Sequence, residues 1–157
     1  MPNKKGILIV IDGTDGSGKA TQINLLKERL EKNKFSVVIF DFPRYGEKSA
    51  DMVADYLNGK FGTAEEVGPY RASIFYAVDR YAASFEMKKA IQEGKIILCN
   101  RYVSASMGHQ AGKIKDKIER EEFLAWLQNL EYEIFEIPKP NLNILLYVPP
   151  DMNQKLI

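Results

Sequence analysis

The segment Gly13-Thr14-Asp15-Gly16-Ser17-Gly18-Lys19-Ala20-Thr21 leaves this chain few folds to choose from. An apolar run, Ile7-Leu8-Ile9-Val10-Ile11, precedes it, and Ile23, Leu26 and Leu30 follow at helical spacing. A strand that passes through a glycine-rich turn straight into a helix is the phosphate-binding loop of nucleotide-binding proteins. Glycines let backbone N–H groups converge on an anion, and the helix N-terminus adds partial positive charge. Lys19 then reaches the outer phosphates as a point charge. One position departs from the pattern: Ala20 stands where a serine or threonine is usual.

The rest of the chain repeats the strand-then-helix rhythm. Apolar runs at Ile7–Ile11, Val37–Phe40, Ile96–Cys99 and Asn143–Val148 lack polar alternation, which predicts strands of a parallel sheet buried on both faces. Between them the spacing predicts a helix to about Lys32 and a weaker one near Ala50–Leu57. A long helix from about Pro69 to Glu93 carries Ile74, Val78, Tyr81 and Phe85 on one stripe, with Gly94 as its cap. A further helix from about Asp116 to Glu133 sets Phe123, Leu127, Leu130 and Ile134 on a face, and Pro138-Lys139-Pro140 ends it. Repeated βα units imply one doubly wound α/β domain. With 157 residues and 45% hydrophobic content the chain can bury a real core. A net charge of +1 gives no general attraction to nucleic acid or anionic membrane. One cysteine, Cys99, excludes a disulfide framework and fits a reducing cytoplasm. No leader pattern stands at the N-terminus, and Ile7–Ile11 is too short to span a bilayer.

Ligands of such sheets sit beyond the C-terminal ends of the strands, so the residues that follow each strand should look chemical. They do: Asp12 leads into the loop, Asp41 into Phe42-Pro43-Arg44-Tyr45, and the third run into Asn100-Arg101-Tyr102. These segments, with Tyr76-Ala77-Val78-Asp79-Arg80 and Pro138-Lys139-Pro140, give a chain that resembles the thymidylate kinases over nearly its whole length. The resemblance implies the three-layer α/β/α fold of P-loop NTPases. It also implies transfer of the ATP γ-phosphoryl group to dTMP, with Mg²⁺, in a cytoplasmic homodimer formed through the long helices.

Roles follow from the resemblance residue by residue. Gly13 through Thr21 cradle the ATP phosphates, and Asp15 lies between donor and acceptor, near the acceptor sugar and the metal. The bland alternative for Asp15 is a loop-stabilising turn. Arg44, stiffened by Phe42-Pro43 and followed by Tyr45, clamps the acceptor phosphate; Arg101 bridges the phosphates, its alternative being an ion pair with a loop carboxylate. Tyr76 stacks on thymine and Arg80, four residues on, donates to a base carbonyl. Ser106 and Gln110 line the base and sugar pocket. His109 occupies the place of an aromatic ring that crowds the sugar 2′ carbon, or is an ordinary surface or core histidine.

Three departures qualify these expectations. Ala20 removes a hydroxyl that commonly holds Mg²⁺. Asn100 replaces an aspartate, leaving an amide that reaches the metal only through water. The family pattern continues past the last strand with an arginine-rich lid, an adenine-contacting stretch and a final helix, whereas this sequence stops at Ile157 in the start of a helix. The expectation is one P-loop kinase domain over residues 1–157 that binds dTMP but transfers phosphoryl groups weakly. Another pyrimidine nucleotide or nucleoside kinase, or a catalytically weak nucleotide-binding fragment, stays open as an alternative.

Overall fold

A computed structural model describes residues 4–149. Strands β1 (Ile7–Gly13), β2 (Val37–Asp41), β3 (Ile96–Asn100) and β4 (Leu142–Leu146) form a parallel sheet in the order β2-β3-β1-β4. The register pairs Ile11 with Asn100, Asp41 with Asn100, and Gly13 with Leu146. Chemistry-bearing residues thus end their strands side by side. Helices α1 (Lys19–Lys32), α2 (Asp51–Leu57), α3 (Ala64–Gln92), α4 (Val103–Ala111) and α5 (Lys117–Gln128) connect the strands. A helix start expected after the last strand lies outside the described residues.

The chain divides into two compact units. One holds the residues up to Asp41, Glu86–Tyr102 and the segment from Lys139; the other holds Phe42–Phe85 and Val103–Pro138. In the first unit, Ile23 of α1 joins Ile11, Ile96 and Leu98 in a core to which Leu26 and Leu30 add their partly buried side chains. That is the stripe the sequence spacing marked. Strand β3 is the innermost: Ile97, Leu98 and Cys99 are fully buried. Burial on both faces does not hold for β4, where Leu142 and Leu145 are exposed. Among the described residues β4 lies at one edge of the sheet, and an apolar run does not reveal what packs over its faces.

Helix α3 departs from expectation in an instructive way. Gly68 interrupts it with φ 76° and ψ 166°, so the regular run begins at Pro69 as expected, behind one extra turn. Ile74, Val78, Tyr81 and Phe85 share a stripe, but that stripe is exposed, Phe85 at 60%. Most of its buried positions are small or polar, namely Ala72, Ser73, Ala77, Asp79, Arg80, Ala83, Ser84 and Ala90, beside the apolar Val67 and Met87. Periodicity identifies a face; it does not say what covers it. At the C-terminal end, Gly94 takes φ 76° and its N–H donates to the Ile91 carbonyl at 3.1 Å, the cap its position suggested.

The last helix also differs from its periodicity. After Gln128 the coil widens into a π-helical turn, Asn129–Ile134. The widening turns Ile134 out to solvent at 64% exposure and seals Glu131 inside at 0%. Asp116 caps α5, its side chain accepting from the Glu119 N–H at 2.8 Å. Among the described residues no helix is long and apolar enough to cross a membrane.

Candidate functional site

In the first unit the phosphate loop hangs on Gly16 and Gly18, with φ 77° and 85°. Gly18 opens α1 in the left-handed conformation, and no side chain caps the helix. The first N–H groups of α1 are therefore offered to a ligand instead of to the protein. Ser17 Oγ is buried without a hydrogen-bond partner, a polar atom that a phosphate oxygen would satisfy. Lys19, 7% exposed, donates from Nζ to the Gly13 and Thr14 carbonyls at 2.8 Å each. Its ammonium sits folded against the loop it serves. Burial, and then the nearby Arg101 charge, holds the Lys19 pKa below its usual value, with Asp15, Asp12 and Asp41 opposing. Ala20 and Thr21 are exposed on the first turn of α1.

Arg101 follows β3 with φ 63°, a left-handed conformation uncommon for a residue with a Cβ. Its N–H donates to the Ile11 carbonyl at 3.1 Å, and its own carbonyl accepts from the Cys99 thiol at 3.1 Å. Held in this way, the guanidinium pairs with Asp15. That pair is largely solvated, Asp15 being 83% exposed, so it contributes at most about 1 kcal/mol to stability. The sequence alternative of an ion pair with a loop carboxylate is thus what the structure contains, and the two residues expected at the reacting phosphates are brought together.

Asn100 Oδ1 is buried without a partner, while its side chain hydrogen-bonds to Asp41. Burial pushes the Asp41 carboxyl up, against the pull of Arg101, Asn100 and Lys19. The described residues contain no group of three or more His, Cys, Asp or Glu able to cage a metal ion. Mg²⁺ does not require one, because it keeps several waters and takes one or two carboxylates plus substrate phosphates. Asp15 and the orphaned Asn100 Oδ1 fit that open arrangement.

The second unit builds a different constellation. Arg44 donates its backbone N–H to Asp79 Oδ2 at 2.8 Å and Nε to Asp79 Oδ1 at 3.1 Å. Arg44 Nη2 donates to Ser49 Oγ at 3.1 Å, and Ser49 donates to Asp79 Oδ1 at 2.7 Å. No protein partner is recorded for Arg44 Nη1 among the described residues, which leaves that edge of the fork for an anion. Arg80, 2% exposed, donates from Nε to both carboxylate oxygens of Glu131 at 2.9 and 3.1 Å. Its Nη2 pairs with Glu131 as well and donates to Ser106 Oγ at 3.1 Å. Burial, and then the Glu131 charge, pushes the Tyr132 hydroxyl up to about 12, with Arg80 opposing.

Tyr76 is half-buried and meets Tyr56 edge-on, with ring centroids 6.5 Å apart. Phe75 packs against the same small core of Tyr56, Val67 and Ala72. Ser106 and Gln110 are buried on α4, whereas His109 is exposed on it. Gln110 accepts from Lys113 Nζ at 2.9 Å. Phe42 is buried and Tyr45 is 62% exposed. Reasoning from sequence assigned no role to Asp79, Ser49 or Glu131. For Glu131 a signal existed, because it continues the apolar face of Phe123 and Leu127 at a spacing of four.

Comparison with known proteins identifies the family. A sequence model described as thymidylate kinase matches residues 11–156. Thymidylate kinase of Mycobacterium tuberculosis is 29% identical over 147 residues, 93% of this chain and 68% of that protein. The Pelotomaculum thermopropionicum thymidylate kinase is 36% identical over 110 residues, 68% of this chain but 48% of that protein. The solved Candida albicans thymidylate kinase superimposes with a TM-score of 0.76 at 22% identity, over 96% of this chain and 67% of that one. This likeness carries the fold, a parallel sheet flanked by helices as in P-loop NTPases. The chain belongs to the thymidylate kinase family.

Proposed function

We propose that this chain binds ATP on the phosphate loop and dTMP in the second unit, and catalyses transfer of the γ-phosphoryl group to give ADP and dTDP. The observation that carries this reading is that the first unit has an uncapped, glycine-opened helix start and the second has two arginines, Arg44 and Arg80, already held by buried carboxylates. Phosphoryl transfer asks the protein mainly for positioning and charge neutralisation, and these are the groups that supply both.

Gly13 through Thr21 receive the ATP phosphates, with Lys19 on the outer ones. Arg44 offers its Nη1 edge to the acceptor phosphate; Phe42, Pro43 and Tyr45 shape that turn. Tyr76 stacks on the base, Arg80 donates to a base carbonyl, and Ser106, His109 and Gln110 line the pocket. Arg101, paired with Asp15, neutralises the phosphates as charge redistributes. Mg²⁺ would be held by Asp15, and through water by Asn100, and would supply further neutralisation of the phosphates. The exposed α3 stripe of Ile74, Val78, Tyr81 and Phe85 supports a homodimer formed through that helix. A cytoplasmic location completes the reading.

An acceptor panel tests the reading. ADP release is measured with ATP and dTMP, dUMP, UMP, dCMP, AMP or thymidine, beside calorimetric binding of each. Preference for dTMP is expected in both measurements; preference for AMP or thymidine would overturn the assignment. Sedimentation tests the dimer, which Phe85→Glu should dissociate.

A further inference from the structure

A buried ion pair is an expensive way to fill a core, since two charges must leave water and apolar residues of equal volume are often no worse. Arg80 and Glu131 are 2% and 0% exposed, and all the recorded bonds of the carboxylate go to that one guanidinium. Delivering Glu131 also requires an unusual backbone. The π-helical turn Asn129–Ile134 replaces α-helix at this point, and π-helical turns concentrate at functional sites. The turn leaves Ile134 in water while it buries a carboxylate, the reverse of what packing alone would select.

We infer that Glu131 is a positioning residue for acceptor recognition: it fixes the plane and rotation of the Arg80 guanidinium, and the π-helical turn serves to deliver it. The inference rests on the assignment of Arg80 to the base of dTMP. Bidentate contact at Nε and Nη2 removes rotation about the last side-chain bonds of Arg80, and Ser106 fixes the same Nη2 from α4. A base carbonyl must then meet donors that are already aimed, so little ordering entropy remains to be lost on binding. Without Glu131 the arginine could occupy several rotamers, and the base contact would weaken while the phosphate contacts stayed.

Calorimetry on the full chain with dTMP and, separately, ATP tests this in three variants. Glu131→Asp keeps the charge but withdraws it by one methylene. The expected result is a cooperative melt, unchanged ATP affinity and about a 10-fold or greater loss of dTMP affinity, as small misplacements cause. The exchange Arg80→Glu with Glu131→Arg keeps a buried pair, so it should fold and bind ATP, yet bind dTMP as poorly as Arg80→Ala. Parental dTMP affinity in either folded variant overturns the inference. Loss of folding in both also overturns it, because the pair would then be a requirement of the fold. Arg80→Ala separates the two readings. If dTMP affinity survives it, the base assignment of Arg80 fails; if it falls while Glu131→Asp is harmless, only the positioning role fails.

Discussion

Replacing Lys19 with methionine keeps most of the buried stem and removes the charge, so it isolates what the ammonium does. In this structure Nζ already has two carbonyl partners at 2.8 Å, and bonds from a charged donor contribute about 1.5–3 kcal/mol each. Engaging a phosphate means exchanging those partners, so the net gain on binding ATP is small. Charge moves onto the bridging and leaving oxygens only as the transition state forms, and there the gain is not offset. Loss of one such preorganised donor costs about 3–4 kcal/mol, or roughly 10²–10³ in rate. We therefore expect Lys19→Met to lower kcat by that factor while ATP affinity changes less than about 10-fold. Coupled ADP release gives the first quantity and calorimetry the second. A rate within threefold of the parent, or equal losses in kcat and affinity, would refute the exchange argument.

The same residue makes a prediction about pH. Its pKa is lowered in the fold, so the unfolded chain binds the proton more tightly. Below the folded pKa the charged lysine therefore carries a folding cost, which disappears as pH rises from the folded pKa towards the ordinary value of 10.5. Stability of the parent relative to Lys19→Met should increase across that alkaline window, while ATP affinity falls across it. A stability difference that declines with rising pH would mean that the ammonium is favoured in the fold.

Three further substitutions probe other parts of the structure. Asp79→Asn removes the charge that holds Arg44 from a site 1% exposed; it should cost about 3 kcal/mol in urea unfolding and weaken dTMP more than ATP. Gly94→Ala forces φ 76° on a residue with a Cβ that would lie 2.7 Å from the Lys4 carbonyl oxygen, so a loss of at least about 1–2 kcal/mol is expected in the same assay. Arg101→Gly relieves the left-handed strain, whereas Arg101→Lys retains it. The glycine variant should be at least as stable as the lysine variant yet slower, and a less stable glycine variant would show that the strain is absent.

The sheet and α1 were legible because short-range pattern determines them. Four apolar runs lie within a residue or two of the strands, and Ile23, Leu26 and Leu30 face the core as their spacing says. The positions of Asp41 and Arg101 at strand ends were legible for the same reason. What was not legible depends on partners distant in sequence. Nothing local distinguishes the α3 stripe that ends exposed from one that would be buried. Asp79 and Glu131 acquire meaning only through Arg44, 35 residues away, and Arg80, 51 residues away. Helix α4 was missed because Val103-Ser104-Ala105-Ser106 has little apolar periodicity, and its burial comes from tertiary packing.

Adjacent residues of α3 give the proposed nucleotide site a means of selectivity. Asp79 turns to Arg44 and Ser49, while Arg80 turns to Glu131 and Ser106, so each cation is neutralised where it stands. A bare arginine attracts any anion and gains most of its energy from charge alone. An arginine already paired through Nε and Nη2 presents a fixed fork with little excess field, and its contribution depends on whether the ligand's acceptor fits that fixed orientation. The two carboxylates thus exchange raw anion affinity for geometry. A second consequence is measurable: dTMP binding should depend only weakly on ionic strength compared with an unpaired basic patch. The dependence should steepen in Asp79→Asn, where Arg44 recovers its field while losing its orientation.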